Sequence, residues 1–309
     1  MVKYIAAAIA LKAFSCGMPM RRLYRALGNR FGGRLRARGR MPDYYPERVK
    51  RMLELARTYG IVKDGGRVLE LGTGWLHWEA MTLRLFFDVE AVLSDVWDNR
   101  QLSGLKNYLQ QLRTILDNQF SGVSEDALAR ARDRADLAVR VGSLEELYGL
   151  FGFQYVVDSS GSLDRFPDQS FDLVVSQGVL EHVKRDAVVP MIRDTHRLLK
   201  PGGWALFGID ISDHLAKYDR NVSQKLYLSL PEWIWRGLAQ NEVQYINRLQ
   251  RGEWMNIFCS SGFDVVAESG TQVSITRLKL AKRYQQMSSS DLQHIYLRLL
   301  LRRPEAWIG

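Results

Sequence analysis

The spacing of apolar positions changes repeatedly along the 309-residue chain, and each change marks an element. From Glu47 to Tyr59 the apolar residues Val49, Met52, Leu53, Leu55, Ala56 and Tyr59 recur at near-helical spacing, which predicts a helix. Asp64-Gly65-Gly66 is a turn. Arg67–Leu71 has the length and apolarity of a strand and runs straight into Gly72-Thr73-Gly74. Ala91–Ser94 reads as a second strand, ending at Asp95. Residues 102–150, rich in Leu, Gln, Arg and Ala, read as helical with a break near Ser121-Gly122. Further strands are predicted over 153–157, 171–176 and 204–209. A helix over 187–199 is stopped by Lys200-Pro201-Gly202-Gly203. Residues 211–258 read as helical and aromatic-rich, with Trp233, Trp235 and Trp254, before a late strand over 262–266. Strands alternating with helices predict βαβ units and an α/β fold with a mostly parallel sheet.

The same pattern divides the chain into three parts. Residues 1–46 form an N-terminal arm, and 47–270 a core with insertions at 97–150 and 211–258. Residues 271–309 read as a basic helical extension. Hydrophobic residues at 46% and charged residues at 25% are ordinary for a globular protein and exclude a disordered or fibrous chain.

Charge changes this picture at the N-terminus. Residues 1–51 carry thirteen Lys or Arg against Asp43 and Glu47 alone, a net of +11, while the rest of the chain totals −2. Such an arm seeks a polyanion or an anionic membrane surface. Its apolar run Tyr4–Phe14 is too short to span a bilayer and is interrupted by Lys12. Residues 3–30 read as an amphipathic basic helix with three destinations. It lies on an anionic membrane through residues 1–40, it packs on the core with a solvated basic face, or it contacts nucleic acid, which ranks last. Cys16 and Cys259 and the five scattered histidines show no metal-ligand spacing. A chain with two free thiols in the cytoplasm and no structural metal is the expectation.

A glycine turn after the first strand lets a ligand approach the backbone and aims the next helix N-terminus at it. Asp95, 23 residues beyond Gly72, is placed to accept ribose hydroxyls. Trp75-Leu76 stand where a dinucleotide-binding turn has its third glycine, which argues against a pyrophosphate. The ordered set Glu70–Gly74, Asp95, Phe166–Ser176, Val179–Val183 and Leu198–Gly203 closely resembles the class I S-adenosylmethionine (SAM)-dependent methyltransferases over residues 47–270. The resemblance implies a Rossmann-like, doubly wound α/β fold and SAM as cofactor. It implies Glu70, Gly72, Thr73 and Gly74 on the methionine and ribose side, Asp95 on the ribose, and Val96 or Trp97 beside the adenine. Asp158-Ser159-Ser160 would lie near the adenine amino group, and Ser176, Gln177 and Gly178 beside the methyl group. Asp172 reads as a fold residue, and Trp75 either packs or shapes the cofactor pocket.

Methyl transfer from a sulfonium asks the protein chiefly for positioning, although a hydroxyl acceptor gains from a general base. His182, Asp210, Asp213 and His214 follow the fourth and fifth strands, where α/β sites form. His214 is favoured, with Asp213 as orienting or alternate base. Ser176-Gln177-Gly178-Val179 replaces the Asn/Asp-Pro-Pro-Tyr-like run of nucleobase amine methyltransferases. The run Ile209–His214 with Trp233, Tyr245–Leu249 and Gly262-Phe263 is similar to methyltransferases of bacterial surface-glycan biosynthesis. That similarity implies O-methylation of a sugar hydroxyl or lipid-linked glycan. A quinone or other small lipid is the alternative acceptor, and a non-catalytic SAM- or RNA-binding module the alternative class.

Overall fold

The computed structural model describes residues 1–120 and 122–305. The chain opens with α1 (Val2–Phe14), α2 (Met18–Arg38) and α3 (Tyr44–Tyr59). It continues through β1 (Arg67–Leu71), α4 (Trp78–Phe86), β2 (Glu90–Asp95), α5 (Leu102–Gln119), α6 (Glu125–Arg140), α7 (Leu144–Phe151) and β3 (Phe153–Val157). Then come β4 (Phe171–Gln177), α8 (Arg185–Leu198), β5 (Leu199–Asp210), α9 (Glu232–Ile234), α10 (Arg251–Ser260), β6 (Asp264–Gln272), α11 (Ser289–Gln293) and β7 (His294–Arg302).

The seven strands form one sheet in the order β3-β2-β1-β4-β5-β7-β6. β1 pairs in parallel with β2 on one side and β4 on the other, Leu69 standing opposite Val92 and Val174. Four of its five residues are buried, as expected for a central strand covered on both faces. From β1 the order runs outward to β3 and then restarts with β4 on the opposite side. The doubly wound α/β fold is therefore present, with its topological switch between β1 and β4, where ligands of such folds bind.

The predicted helical stretch over 102–150 is three helices. Ser124 and Ser143 start α6 and α7 by accepting hydrogen bonds from the backbone N–H of Ala127 and Glu146. Of the predicted break, Gly122 takes the left-handed backbone (φ +86°), and Ser121 lies outside the described residues.

Three predictions need correction. Residues 211–250 are mostly irregular, with short 3-10 and π turns, and a full helix starts only at Arg251. Asp213, Asp219, Ser223, Asn241 and Asn247 each accept a backbone N–H two or three residues onward, at Leu215, Asn221, Lys225, Gln244 and Leu249. These local bonds offer the backbone an alternative to the helix. Beyond residue 271, the expected helical extension contains the strand β7, antiparallel to β6. A short Leu-rich run reads equally as helix or strand, and the pairing with β6 decides it. Finally, the single basic helix expected over 3–30 is two helices, parted at Ser15–Gly17, where Gly17 has φ +87°.

The chain divides into two compact units. One comprises Leu27–Ser176 and Arg197–Ala205; the other comprises Met1–Ala26, Gln177–His196 and the described residues from Leu206 onward. In the latter, α1 is a core helix and not a free arm. Tyr4, Ala8 and Leu11 lie one turn apart and are buried with Leu215, Tyr227, Leu228 and Trp235. The Tyr4 hydroxyl donates to Asp213 at 2.9 Å. No helix among the described residues is long and apolar enough to cross a membrane. Leu11→Ala is expected to lower the unfolding free energy by about 2–5 kcal/mol in urea titration, the cost of a core cavity. A loss below about 0.5 kcal/mol, typical of a surface change, would mean that α1 does not belong to the core.

Candidate functional site

In the unit containing β1, the strand ends in a turn that leaves the sheet plane. Gly72 (φ +70°) and Gly74 (φ +59°) both take backbone conformations that side chains disfavour. A side chain on Gly74 would meet nothing within 4 Å, so the space over the turn is open. Thr73, between them, is buried. Asp95, at the end of β2, holds this turn. One carboxylate oxygen accepts from Gly74 N (2.8 Å) and the Thr73 hydroxyl (3.4 Å), and the other from Val96 N (2.7 Å) and Trp97 N (3.3 Å). Burial raises the Asp95 pKa more than these bonds lower it. Glu70 is buried and accepts from Ala80 N in the first turn of α4 (2.8 Å). Burial, then the nearby Glu79, pushes its carboxyl well above the usual range.

The expected adenine side is close by. Asp158 N donates to Asp95 O at 2.9 Å, and a side chain on Gly161 would lie 3.5 Å from Val96. Val96 and Trp97 are exposed. The Asp158 carboxylate, however, accepts from Ser160 N (3.0 Å) and its hydroxyl (2.6 Å), within its own loop. Ser176 is buried and donates to Leu71 O at 2.9 Å, which fixes where β1 ends and leaves its proton committed. Trp75 does more than fill space. Asn29 of α2 accepts its indole N–H at 2.9 Å, and the Arg36 guanidinium stacks 3.9 Å from its ring, so Trp75 ties α2 beside the turn. Asp172 serves the fold, as expected. It accepts from Arg67 N and from the Lys200 ammonium, each at 2.8 Å. Open space over a left-handed glycine turn and an acidic group bonded to that turn fit the nucleoside portion of SAM.

The second group of candidates lies in the other unit. Glu181 and His182 occupy a 3-10 turn, Leu180–His182, just after β4, and His214 opens another, His214–Tyr218, after β5. The rings of His182 and His214 lie 5.1 Å apart. Asn247 clamps the first turn. Its amide donates to Leu180 O (2.8 Å) and Val183 O (3.2 Å), and its backbone N–H to Glu181 O (2.8 Å). The next residue, Arg248, is held at φ +57° by paired bonds to the Glu232 carboxylate and by stacking on Trp235. Glu181 Oε1 accepts from Asp210 N at 3.2 Å, while Oε2 is buried without a partner. Burial and then the Asp210 charge raise the Glu181 pKa to about 8. Burial alone would raise Asp210 as well, but the His214 hydrogen bond and the Lys217 charge outweigh it and hold that carboxyl low.

This geometry corrects the proposed pairing of Asp213 with His214. Both Asp213 oxygens are committed, to Tyr4 Oη, Leu215 N and Tyr227 N, and the residue is 1% exposed. Asp213 therefore anchors α1 and the following turns. The carboxylate beside His214 Nε2 is Asp210, at 3.4 Å. Gln177, at the end of β4, accepts from the Tyr296 hydroxyl of β7 (3.0 Å). The space for that bond exists because residue 208 is glycine, where a side chain would begin 1.9 Å from Gln177 Oε1. Neither Tyr296 nor the clamping role of Asn247 was legible in the sequence, because each acts through hydrogen bonds across more than sixty residues.

The same unit holds an open cavity of about 660 Å³ with a mostly polar lining that includes Arg185, Arg236, Gln240, Glu242, Tyr245 and Asn247.

Comparison with known proteins adds the family. A family model described as a methyltransferase domain matches residues 20–268. The chain is 29% identical over 205 residues to a ubiquinone biosynthesis O-methyltransferase of Paracidovorax citrulli, covering 63% of this chain and 79% of that protein. Among solved structures it is similar to a SAM-dependent methyltransferase from Mesorhizobium loti (18% identity, TM-score 0.41, 82% of this chain and 98% of that one). It is also similar to one from Methanosarcina mazei (13% identity, TM-score 0.45, 80% and 97%). Asp95→Ala is expected to weaken SAM binding by about 1–3 kcal/mol in calorimetry, through the loss of charge-assisted bonds. Unchanged affinity would remove Asp95 from the nucleoside site.

Proposed function

Since the chain belongs to the methyltransferase-domain family, we propose that it transfers the methyl group of SAM to a hydroxyl oxygen of a sugar or lipid-linked glycan. SAM supplies an electrophilic methyl group together with its own leaving group. The glycine turn Gly72–Gly74, Asp95 and Val96 would hold the nucleoside, with Glu70 toward the methionine end. The chain's own contribution to the acceptor is assigned to Glu181, His182, Asp210 and His214. This is a group of ionisable side chains fixed by the Asn247 clamp, suited to lowering the cost of removing a hydroxyl proton.

The observation that carries the acceptor class is the lining of the 660 Å³ cavity. Guanidinium, amide and carboxylate groups around a half-buried Tyr245 suit a hydroxyl-rich ring, whose polar edge takes hydrogen bonds and whose apolar face takes the aromatic. A prenylated ring would favour an apolar wall. The second reading, methylation of a quinone-like phenol, draws on the similarity to a ubiquinone biosynthesis O-methyltransferase.

The surface of α2 supports work at an anionic membrane. Between Leu27 and Arg38 its outer face exposes Leu27, Phe31 and Leu35, the last two at 58% and 73%. Arg30, Arg34 and Arg38 are exposed and share that face at helical spacing. Apolar side chains to enter the interface, interleaved with arginines for the headgroups, complement an acidic lipid surface.

Incubation with labelled SAM and fractionated cell extract is expected to place the label in polysaccharide or glycolipid. Label in the quinone fraction would favour the second reading, and label in protein or RNA would overturn both. His214→Ala is expected to slow transfer by roughly a hundredfold or more with SAM affinity intact; an unaltered rate would release His214 from acceptor activation. Vesicles containing acidic phospholipid should retain the protein in sedimentation, and Phe31→Ser should weaken retention roughly tenfold. Equal binding to zwitterionic vesicles, or preference for RNA, would overturn the membrane surface.

A further inference from the structure

The turns after β4 and β5 bring together three groups able to ligate a metal ion. One carboxylate oxygen of Glu181 and one ring nitrogen each of His182 and His214 all lie within 4.8 Å of one another. Ligands about 2.1 Å from a single ion stand about 3–4 Å apart, so a small closing of this group would let it share one cation. His182 Nδ1 is 2.5 Å from Tyr245 O. A carbonyl only accepts, so Nδ1 carries the proton and Nε2 presents its lone pair. A ring fixed by a carbonyl on its far nitrogen is the arrangement in which metal-binding histidines are held.

Glu181 repeats the logic. Oε1 is occupied by Asp210 N, and Oε2 has no partner although the residue is only 2% exposed. His214 is 8% exposed, and its Nε2 lies 3.4 Å from the Asp210 carboxylate. A buried carboxylate oxygen without a partner costs free energy unless something occupies the space beside it. The other charges are already spoken for. Lys217, which is largely exposed, pairs with Asp210 at 2.8 Å, and Glu181 has no direct ion pair among the described residues.

We propose that Glu181, His182 and His214 bind one divalent transition-metal ion. Two imidazoles with one carboxylate select a zinc-, cobalt- or manganese-like ion over calcium or magnesium, which prefer all-oxygen sites. Three protein ligands leave a position open, and a hydroxyl oxygen bound there loses its proton more readily. The inference deepens the assignment of these residues to acceptor activation, and its use in methyl transfer rests on that reading. The site itself rests on the geometry alone.

The full-length chain, stripped with a chelator, is titrated with cobalt(II). One ion per chain is expected, with a visible absorption band and a cobalt-edge X-ray absorption signature of two imidazole ligands. Glu181→Gln, His182→Gln and His214→Gln should each weaken binding roughly a hundredfold or more, while SAM affinity reports an intact fold. The X-ray signature needs no substitution, so it tests the site even if a variant misfolds. Absence of imidazole ligation, or binding indifferent to all three changes, overturns the site. A stripped chain that transfers methyl at full rate and takes up no cobalt overturns the metal alone. A chain that binds cobalt through two imidazoles but transfers no methyl keeps the site and overturns the proposed function.

Discussion

Backbone hydrogen bonding on both sides of β1 is the constraint from which the rest follows. A five-residue strand paired with β2 and β4 along its length, and buried in four of five positions, has no free edge and no free face. A ligand can be met only where the strand stops. Gly72 and Gly74 turn the chain there, Asp95 comes from the strand alongside, and Ser176 pins the carbonyl of the last β1 residue. The parallel sheet thus concentrates ligand-binding potential at strand ends and spends the remaining residues on burial.

The residues after β4 and β5 meet a different problem, that of keeping ionisable groups out of water. Glu181, His214 and Lys225 are all buried, and each is handled differently. Lys225 donates to Ile211 O, Tyr227 Oη and Gln250 Oε1, so its three hydrogens are all accounted for, and burial lowers its pKa to about 7. That ammonium is a structural polar core. Glu181 Oε2 has no such closure, which sets it apart from Lys225 within the same unit.

Much of this was legible in the sequence. Glu70–Gly74, Asp95 and the motifs around β4 and β5 are local, and the parallel order follows from strand–helix alternation. What escaped was non-local or ambiguous by its nature. Asp213 adjoins His214 in sequence while Asp210 stands four residues before it, yet Asp213 is committed to Leu215 N, Tyr227 N and the Tyr4 hydroxyl, the last more than two hundred residues away. The Ala-rich α1 has the composition of an interface helix, yet its Tyr4, Ala8 and Leu11 pack inward, and exposed apolar residues lie on both α1 (Val2, Ile5, Ile9) and α2. The Leu-rich run of β7 has no period that separates helix from strand.

The place of β7 has a consequence for biosynthesis. It lies between β5 and β6 in the sheet but follows every other element in the chain, and its Tyr296 fastens Gln177 at the end of β4. On the ribosome, β1 to β4 can assemble while translation continues. β5 must then wait for a neighbour made 92 residues later, roughly 5–20 s at ordinary elongation rates. During that interval the nascent chain presents an unpaired strand edge, the surface on which chaperones act and on which aggregation begins.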